Sequence, residues 1–163
     1  MPDDDAREDA HKNGDADVED KEKNAPPPPD DEVAAAVVDR FPGTVFHRSH
    51  GQPVVYVDRA VWAELGTFLR DEQQFTQCVD VTAVDHLVDA ERLSVAGVDP
   101  ERFEVVAMFL SHPRNRRIRA ICEVRPDDAS VPSLTGTYPG ANFAEREVYD
   151  MFGISFTGHP DLA

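Results

Sequence analysis

The sequence predicts an α+β domain in which a mostly antiparallel sheet is covered by helices, behind a disordered acidic N-terminal tail. Residues 103–110 and 116–124 are rich in apolar and β-branched side chains and are joined by turn-forming residues, a pattern typical of two antiparallel strands. Residues 61–69 repeat large apolar side chains at helical spacing, which predicts an amphipathic helix that covers such a sheet. The tail differs in composition, because residues 1–32 contain 13 acids, four bases and almost no large apolar side chain.

The elements of the amino-terminal half follow from short local patterns. Residues 31–41 predict a first helix, because valines recur at helical spacing and Pro42 and Gly43 follow. Residues 54–57 are β-branched and aromatic, which predicts a strand. Asp58 then stands where a second helix needs its N-cap, a contact worth about 1 kcal/mol.

The carboxyl-terminal half predicts one strand, an irregular connection and a well-delimited helix. Residues 75–87 are β-branched and partly alternating, which predicts the strand, and residues 131–140 contain two prolines and two glycines. Asn142 and Glu145 have the spacing of a capping box, and Gly153 is a suitable stop for the helix between them. The apolar face of this helix is predicted to contain four side chains: Ala144, Val148, Met151 and Phe152.

Charge patterning divides the chain and excludes several kinds of partner. The net charge is −16, of which −9 lies in residues 1–32, so we predict a disordered tail over residues 1–30 and one α+β domain over residues 31–163. The acidic balance argues against binding to nucleic acid or anionic lipid. No stretch approaches the roughly 20 apolar residues that cross a bilayer, and the acidic N-terminus is no signal peptide. Any membrane association is therefore expected through partner proteins.

Cysteine and histidine positions give little support for a metal site. Cys78 and Cys122 predict two buried thiols rather than a disulfide, and an iron–sulfur cluster usually takes four cysteine ligands, which this chain cannot supply alone. His47 and His50 lie three residues apart in a polar segment without a neighbouring carboxylate or thiol. That setting predicts solvated loop histidines.

Two charged clusters are candidate functional sites. The final helix carries Glu145, Arg146, Glu147 and Asp150, and carboxylates of this kind serve as general acids, bases or metal ligands. An arginine among them instead favours ion pairing, which lowers the pKa of a carboxyl group, so both interpretations stay open on residue chemistry alone. The basic cluster predicts either a solvated hairpin surface or a contact with an acidic partner protein, and comprises Arg114, Arg116, Arg117 and Arg119.

The run from Gly140 to Leu162 resembles the signature of the C-type subunits, the 30 kDa subunit family, of the proton-translocating NADH:quinone oxidoreductase (respiratory complex I, NDH-1). The signature has an E-R-E triplet, an acid, two apolar residues and a later histidine, which here are Glu145, Arg146, Glu147, Asp150, Met151, Phe152 and His159. The resemblance covers residues 75–162. It departs from the family pattern at Phe143 and Ala144, where a tryptophan and an aromatic residue are usual, and at Tyr138, where a tryptophan is usual.

The resemblance implies a non-catalytic structural and assembly subunit of the peripheral arm. The complex carries electrons from NADH through FMN and iron–sulfur clusters to quinone, whereas this chain would bind no cofactor itself. It would pack against the D, B and I types of subunit in a hetero-oligomer, peripherally at the cytoplasmic face of the membrane. The residues implied at the subunit interface are Glu145, Arg146, Glu147, Tyr149, Asp150, Met151, Phe152, His159, Pro160 and Asp161.

Two alternatives accompany that expectation. One is the equivalent subunit of a related membrane-bound hydrogenase or deazaflavin-dependent dehydrogenase complex. The other is an independent soluble enzyme that uses the carboxylates of Glu145, Glu147 and Asp150. The family pattern also continues beyond the position of Ala163, which indicates a C-terminally shortened form or a fragment.

Overall fold

The computed structural model describes residues 25–89 and 91–162. Most of the predicted disordered tail, residues 1–24, lies outside the described residues. Residues 25–30 run without a helix or strand into the first helix, where the side chain of Asp31 accepts the backbone N–H groups of Val33 and Ala34. This contact is an N-cap that satisfies donors which the first helical turn leaves unpaired.

The described residues contain three α-helices and seven strands. The helices are α1 (Glu32–Arg40), α2 (Trp62–Asp71) and α3 (Ala141–Phe152). The strands are β1 (Val45–Ser49), β2 (Gln52–Tyr56), β3 (Gln77–Asp85), β4 (Phe103–Ser111), β5 (Arg116–Val124), β6 (Ser130–Pro132) and β7 (Ser155–Thr157). Within these ranges no helix has the length and apolar content that a bilayer crossing requires.

The main sheet has the strand order β1-β2-β5-β4-β3. Neighbouring strands are antiparallel except for β2 and β5, which are parallel. The prediction of an α+β fold with a mostly antiparallel sheet is confirmed. A second, two-stranded sheet pairs β6 with β7 in parallel.

Strands β1, β6 and β7 are not predicted by the local sequence patterns. The prediction of a solvated loop at His47 is wrong, because His47 lies in β1 opposite Val54 of β2. The two strands are joined by the two-residue turn His50-Gly51, in which both residues have positive φ angles of 51° and 76°. A turn of this kind matches the twist of the strands it joins, so it sets β1 in antiparallel register with β2.

The hydrophobic core lies on one face of the main sheet, beneath the helices. Along β4 the buried residues alternate with half-buried ones, so Phe103, Val105, Ala107 and Phe109 enter the core. The predicted face of α2 meets them through a second set of buried side chains: Trp62, Leu65, Phe68 and Leu69. The opposite face of the sheet has no helix packed on it within the described residues, and carries Arg117 and Arg119 on β5.

Both cysteines are free thiols. Cys122 lies in the core, and Cys78, on β3, is half-buried and packs against the core cluster. Burial raises the pKa of each thiol to about 12, so neither is a reactive thiolate at neutral pH.

Candidate functional site

Helix α3 runs from Ala141 to Phe152, and Gly153 is its C-cap. Gly140 occupies the N-cap position without a side-chain contact, so the predicted capping box at Asn142 and Glu145 is wrong. Asn142 lies inside the first turn, and the carboxylate of Glu145 is engaged by a different segment. The predicted stop is confirmed, because Gly153 adopts φ 71° and its N–H group donates to the carbonyl oxygen of Tyr149.

Glu145 is fully buried and binds the segment that follows β6. Its Oε1 accepts the backbone N–H of Leu134 at 2.6 Å, and its Oε2 accepts the hydroxyl of Ser133 at 2.6 Å. Burial raises the pKa of the Glu145 carboxyl group, and the two donors only partly oppose that effect. The expectation that Arg146 lowers the pKa of this carboxyl group is therefore wrong, since Arg146 points elsewhere and lies 3.5 Å from Asp161.

His159 attaches the segment after β7 to the start of α3. Its Nε2 donates to the carbonyl oxygen of Asn142 at 3.1 Å, and its Nδ1 accepts the backbone N–H of Asp161 at 3.1 Å. These two partners assign the neutral tautomer with the proton on Nε2. The His159 side chain is fully buried, and its Nε2 lies 3.9 Å from Oε2 of Glu145, beyond hydrogen-bond distance. The pair is a structural clasp in which each side chain already has partners.

The exposed side of α3 carries a stripe of two apolar and two acidic side chains. Phe143 is 80% exposed and Met151 is 72% exposed. Glu147 lies between them at i+4 spacing, with Asp150 beside it, and both are exposed. We call Phe143, Glu147, Asp150 and Met151 the α3 stripe.

The predicted apolar face of α3 is only partly correct. Val148 is buried and Ala144 and Phe152 are partly buried, whereas Met151 points away from the core. The helix is rotated about its axis relative to the predicted orientation. Its buried side runs through Ala141, Glu145 and Val148, at i, i+4 and i+7. Glu145 therefore stands on the buried line of the helix, at a kind of position where an apolar side chain is usual.

The three carboxylates considered for catalysis do not converge. Glu145 is enclosed and hydrogen-bonded on the buried side of α3, while Glu147 and Asp150 are exposed on the other side. Among the residues that the structure describes, no group of three or more His, Cys, Asp or Glu side chains is arranged to hold a metal ion. Nothing in this geometry favours the interpretation as an independent enzyme.

The basic cluster is divided between the two sides of the sheet. Arg114 binds Glu32 at 2.8 Å and Arg116 binds Asp31 at 2.6 Å, so these two arginines hold the start of α1. Arg117 and Arg119 lie on the sheet face that has no helix, and make no ion pair with another described residue. Only these two remain available for a partner.

Comparison with known proteins identifies the family. The family described as respiratory-chain NADH dehydrogenase, 30 Kd subunit, matches residues 55–163. This chain belongs to that family. The C-type subunit of NADH-quinone oxidoreductase from Ruegeria pomeroyi is 50% identical over 97 residues, which cover 58% of this chain and 43% of the relative. The C-type subunit from Rhodobacter capsulatus is 44% identical over 130 residues, which cover 77% of this chain and 60% of the relative.

Solved structures agree with membership of the 30 Kd subunit family. A trypsin-resistant fragment of Nqo5 superposes with a TM-score of 0.67 at 31% identity, covering 80% of this chain and 95% of the fragment. A chain of an archaeal membrane-bound sulfane sulfur reductase superposes with a TM-score of 0.61 at 21% identity, which shows the shared fold alone. The chain spans about half the length of the curated relatives that it matches.

The structure sorts the signature residues of this family member into three groups. Glu145 and His159 are internal and hold the fold together. Arg146 and Phe152 are half-buried. The others lie on the surface: Glu147, Tyr149, Asp150, Met151, Pro160 and Asp161.

A third charged cluster is not predicted by the sequence patterns. Glu104 and Glu123 face each other across β4 and β5, and Arg92 bridges them at 2.5 Å and 2.6 Å. Arg92 also donates to the carbonyl oxygen of Glu101 at 2.6 Å. Only the register of β4 against β5 could have revealed the carboxylate pair, and Arg92 stands in a loop without a motif.

Tyr138, which stands where the family pattern usually has a tryptophan, has a clear structural role. Its ring is buried, and its hydroxyl lies 3.1 Å from the carbonyl oxygen of Gly66 and 2.8 Å from that of Phe75. The tyrosine therefore fills an apolar site and links residues on either side of the end of α2.

Proposed function

We propose that this chain is a non-catalytic structural subunit of an NADH-quinone oxidoreductase, and that the α3 stripe docks on a partner subunit. One observation carries the proposal. The signature helix uses its buried carboxylate and the clasp at His159 to fix its own position, and presents two large apolar side chains to solvent. A rigid helix with exposed apolar anchors is suited to an interface.

The chemistry of the α3 stripe indicates the kind of surface it fits. Burying Phe143 and Met151 in an apolar pocket is worth about 1.5–3 kcal/mol for each side chain, less the cost of association. Glu147 and Asp150 beside them require basic or hydrogen-bonding groups on the partner, because a buried carboxylate without a partner is strongly unfavourable. The matching surface is an apolar pocket with a basic rim.

The D, B and I types of subunit are the proposed partners. In this arrangement FMN, the iron–sulfur clusters and the quinone site belong to other chains of the complex. The subunit is held peripherally at the cytoplasmic face of the membrane through those chains. The relatives named as C-type subunits of NADH-quinone oxidoreductase support this assignment.

Substitution of the apolar anchors tests the docking proposal. F143D/M151D places two charges in the proposed pocket, so recovery of the D-type subunit on the tagged chain should fall at least about tenfold, the equivalent of 1.4 kcal/mol. The matched control is L87D/L93D, which changes two other apolar residues that are 66% and 88% exposed. Thermal melts of both variants establish that they fold. If F143D/M151D recovers as much D-type subunit as the L87D/L93D control does, docking through α3 is contradicted.

A second measurement tests the non-catalytic assignment. The purified chain should contain neither flavin nor iron and should not oxidise NADH, because in the proposal those functions belong to its partners. Flavin absorbance, iron content and NADH consumption are measured on the same sample. A cofactor-loaded chain that oxidises NADH alone would overturn the assignment.

A further inference from the structure

Three consecutive acids at the start of the fold are each bound by an arginine of the main sheet or its β4–β5 turn. Asp30 makes paired hydrogen bonds with Arg48 on β1, at 2.6–3.1 Å. Asp31 binds Arg116 at 2.6 Å, and Glu32 binds Arg114 at 2.8 Å. The acidic segment that enters α1 is thus already fixed to basic side chains at this end of the sheet.

The neighbouring arginines of β5 lack such partners among the described residues. Arg117 is exposed and Arg119 is half-buried, on the sheet face opposite α1 and α2. Arg117 lines a cleft of about 630 Å³ together with Leu110 and the Asp30–Arg48 pair. Arg117 and Arg119 therefore place on this face two positive charges that make no ion pair with a described carboxylate.

The described chain begins on the same face as Arg119. The ring of Pro26 lies against Gly97 and next to Val45 of β1, since a Cβ atom added at Gly97 would stand 3.1 Å from Cδ of Pro26 and 3.4 Å from Cγ2 of Val45. Val45 is in register with Tyr56, which is in register with Ile121. Arg119 is two residues from Ile121 on β5, so the strand spacings place it about 12 Å from Val45.

We propose that residues 15–22 of the acidic tail bind the Arg117 and Arg119 face of the main sheet within the same chain. This segment contains five acids and one base, namely Asp15, Asp17, Glu19, Asp20, Glu22 and Lys21. An extended chain spans about 3.3 Å per residue, so the four residues before Pro26 can span about 13 Å, enough for the carboxylate of Glu22 to reach Arg119. The contact extends the pattern of Asp30, Asp31 and Glu32 to the opposite face, and it does not rest on the proposed function.

The placement of lysines permits a direct test. The three lysines of the sequence are Lys12, Lys21 and Lys23, so the described domain has no side-chain amine of its own. R117K and R119K each introduce one amine without changing the charge. A carbodiimide then joins that amine to a carboxylate in contact with it, and mass spectrometry identifies the peptide.

We expect residues 15–22 to cross-link to the amine of R117K or R119K at least about fivefold more than to that of the control R70K. Arg70 is a partly exposed arginine on α2, away from the proposed contact. The cross-links should disappear in 1 M salt, where the screening length is about 3 Å. Yields equal to those of R70K would overturn the proposal. Cross-links found only between labelled and unlabelled chains would also overturn it, because they would assign the contact to a second copy.

Discussion

Glu145 is an ionisable side chain in a position that helix packing usually gives to an apolar one. Its two oxygens accept hydrogen bonds from Ser133 and Leu134, which hold the segment after β6 against α3. Burial nevertheless raises the pKa of the carboxyl group above its usual value of 4.5. The folded state therefore binds the proton of Glu145 more tightly than the unfolded chain does.

We expect Glu145 to make the stability of the fold depend on pH. Because its pKa is raised in the folded state, its favourable contribution to the free energy of unfolding is fully present below about pH 4.5 and is lost as pH rises through the folded-state pKa. E145Q removes this titration, so the unfolding free energy of the wild type minus that of E145Q should fall as the pH rises above about 4.5. Urea unfolding, followed by Trp62 fluorescence at each pH, measures the unfolding free energies of the wild type and of E145Q. E147Q makes the same chemical change on the exposed side, and an equal fall for E147Q would contradict the assignment to Glu145.

The role of Glu145 could not be predicted from its neighbours in sequence. Helical periodicity predicts that a carboxylate faces solvent. The hydrogen-bond donors that allow Glu145 to be buried belong to Leu134 and Ser133, 11 and 12 residues earlier in the chain. The family signature identifies α3 as functional without distinguishing Glu145, which is internal, from Glu147, which is exposed. That distinction depends on the rotation of the helix, which tertiary contacts decide.

At the scale of elements, Arg92 attaches the long connection between β3 and β4 to the sheet. Its side chain is 17% exposed, and its guanidinium group lies between the carboxylates of Glu104 and Glu123, whose side chains are each 13% exposed. Two carboxylates directly opposite each other on adjacent strands repel, so the arginine between them makes this register tolerable. Burial raises the pKa of Glu123, as expected for a carboxylate that has little access to water.

We expect R92A to destabilise the fold by about 2–3 kcal/mol, because it leaves two carboxylates facing each other with little water. R92A/E104Q should recover part of this loss, since it removes one of the two like charges. Chemical denaturation gives the free energy of unfolding for each variant. R125A removes an arginine from a solvent-exposed pair with Asp127 and should change stability little. A stability of R92A equal to that of the wild type would show that the bridge contributes nothing.

Long elements with a clear period could be predicted, and short ones could not. In α2 and in the β4–β5 hairpin, apolar residues recur over enough positions for the period to distinguish helix from strand. The structure confirms both predictions. Strands β6 and β7 have three residues each and are held together by parallel pairing between segments more than 20 residues apart. No local pattern contains that information.

At the scale of the whole molecule, residues 130–162 share one core with the main sheet. Leu134, Val148 and Phe156 belong to the same buried cluster as Trp62 of α2. The contact with α2 is close, because a Cβ atom added at Gly66 would lie 3.0 Å from Cδ2 of Leu134. The segment that presents the α3 stripe is therefore part of the sheet domain and not an appendage to it.

We expect the domain to unfold in a single transition that Leu134→Ala shifts as a whole. Leu134 is 1% exposed, and removing such a side chain costs about 2–5 kcal/mol through lost burial and the cavity left behind. Trp62 fluorescence reports on α2 and far-ultraviolet circular dichroism reports on the helices and strands together, so their urea midpoints should coincide in both proteins. Leu93→Ala, at a leucine that is 88% exposed, is the matched control and should change stability by less than about 0.5 kcal/mol. If the dichroism of L134A falls at lower urea than its Trp62 signal, the carboxyl-terminal segment unfolds separately. A subunit that docks through α3 would then lack the rigid support on which the proposed interface depends.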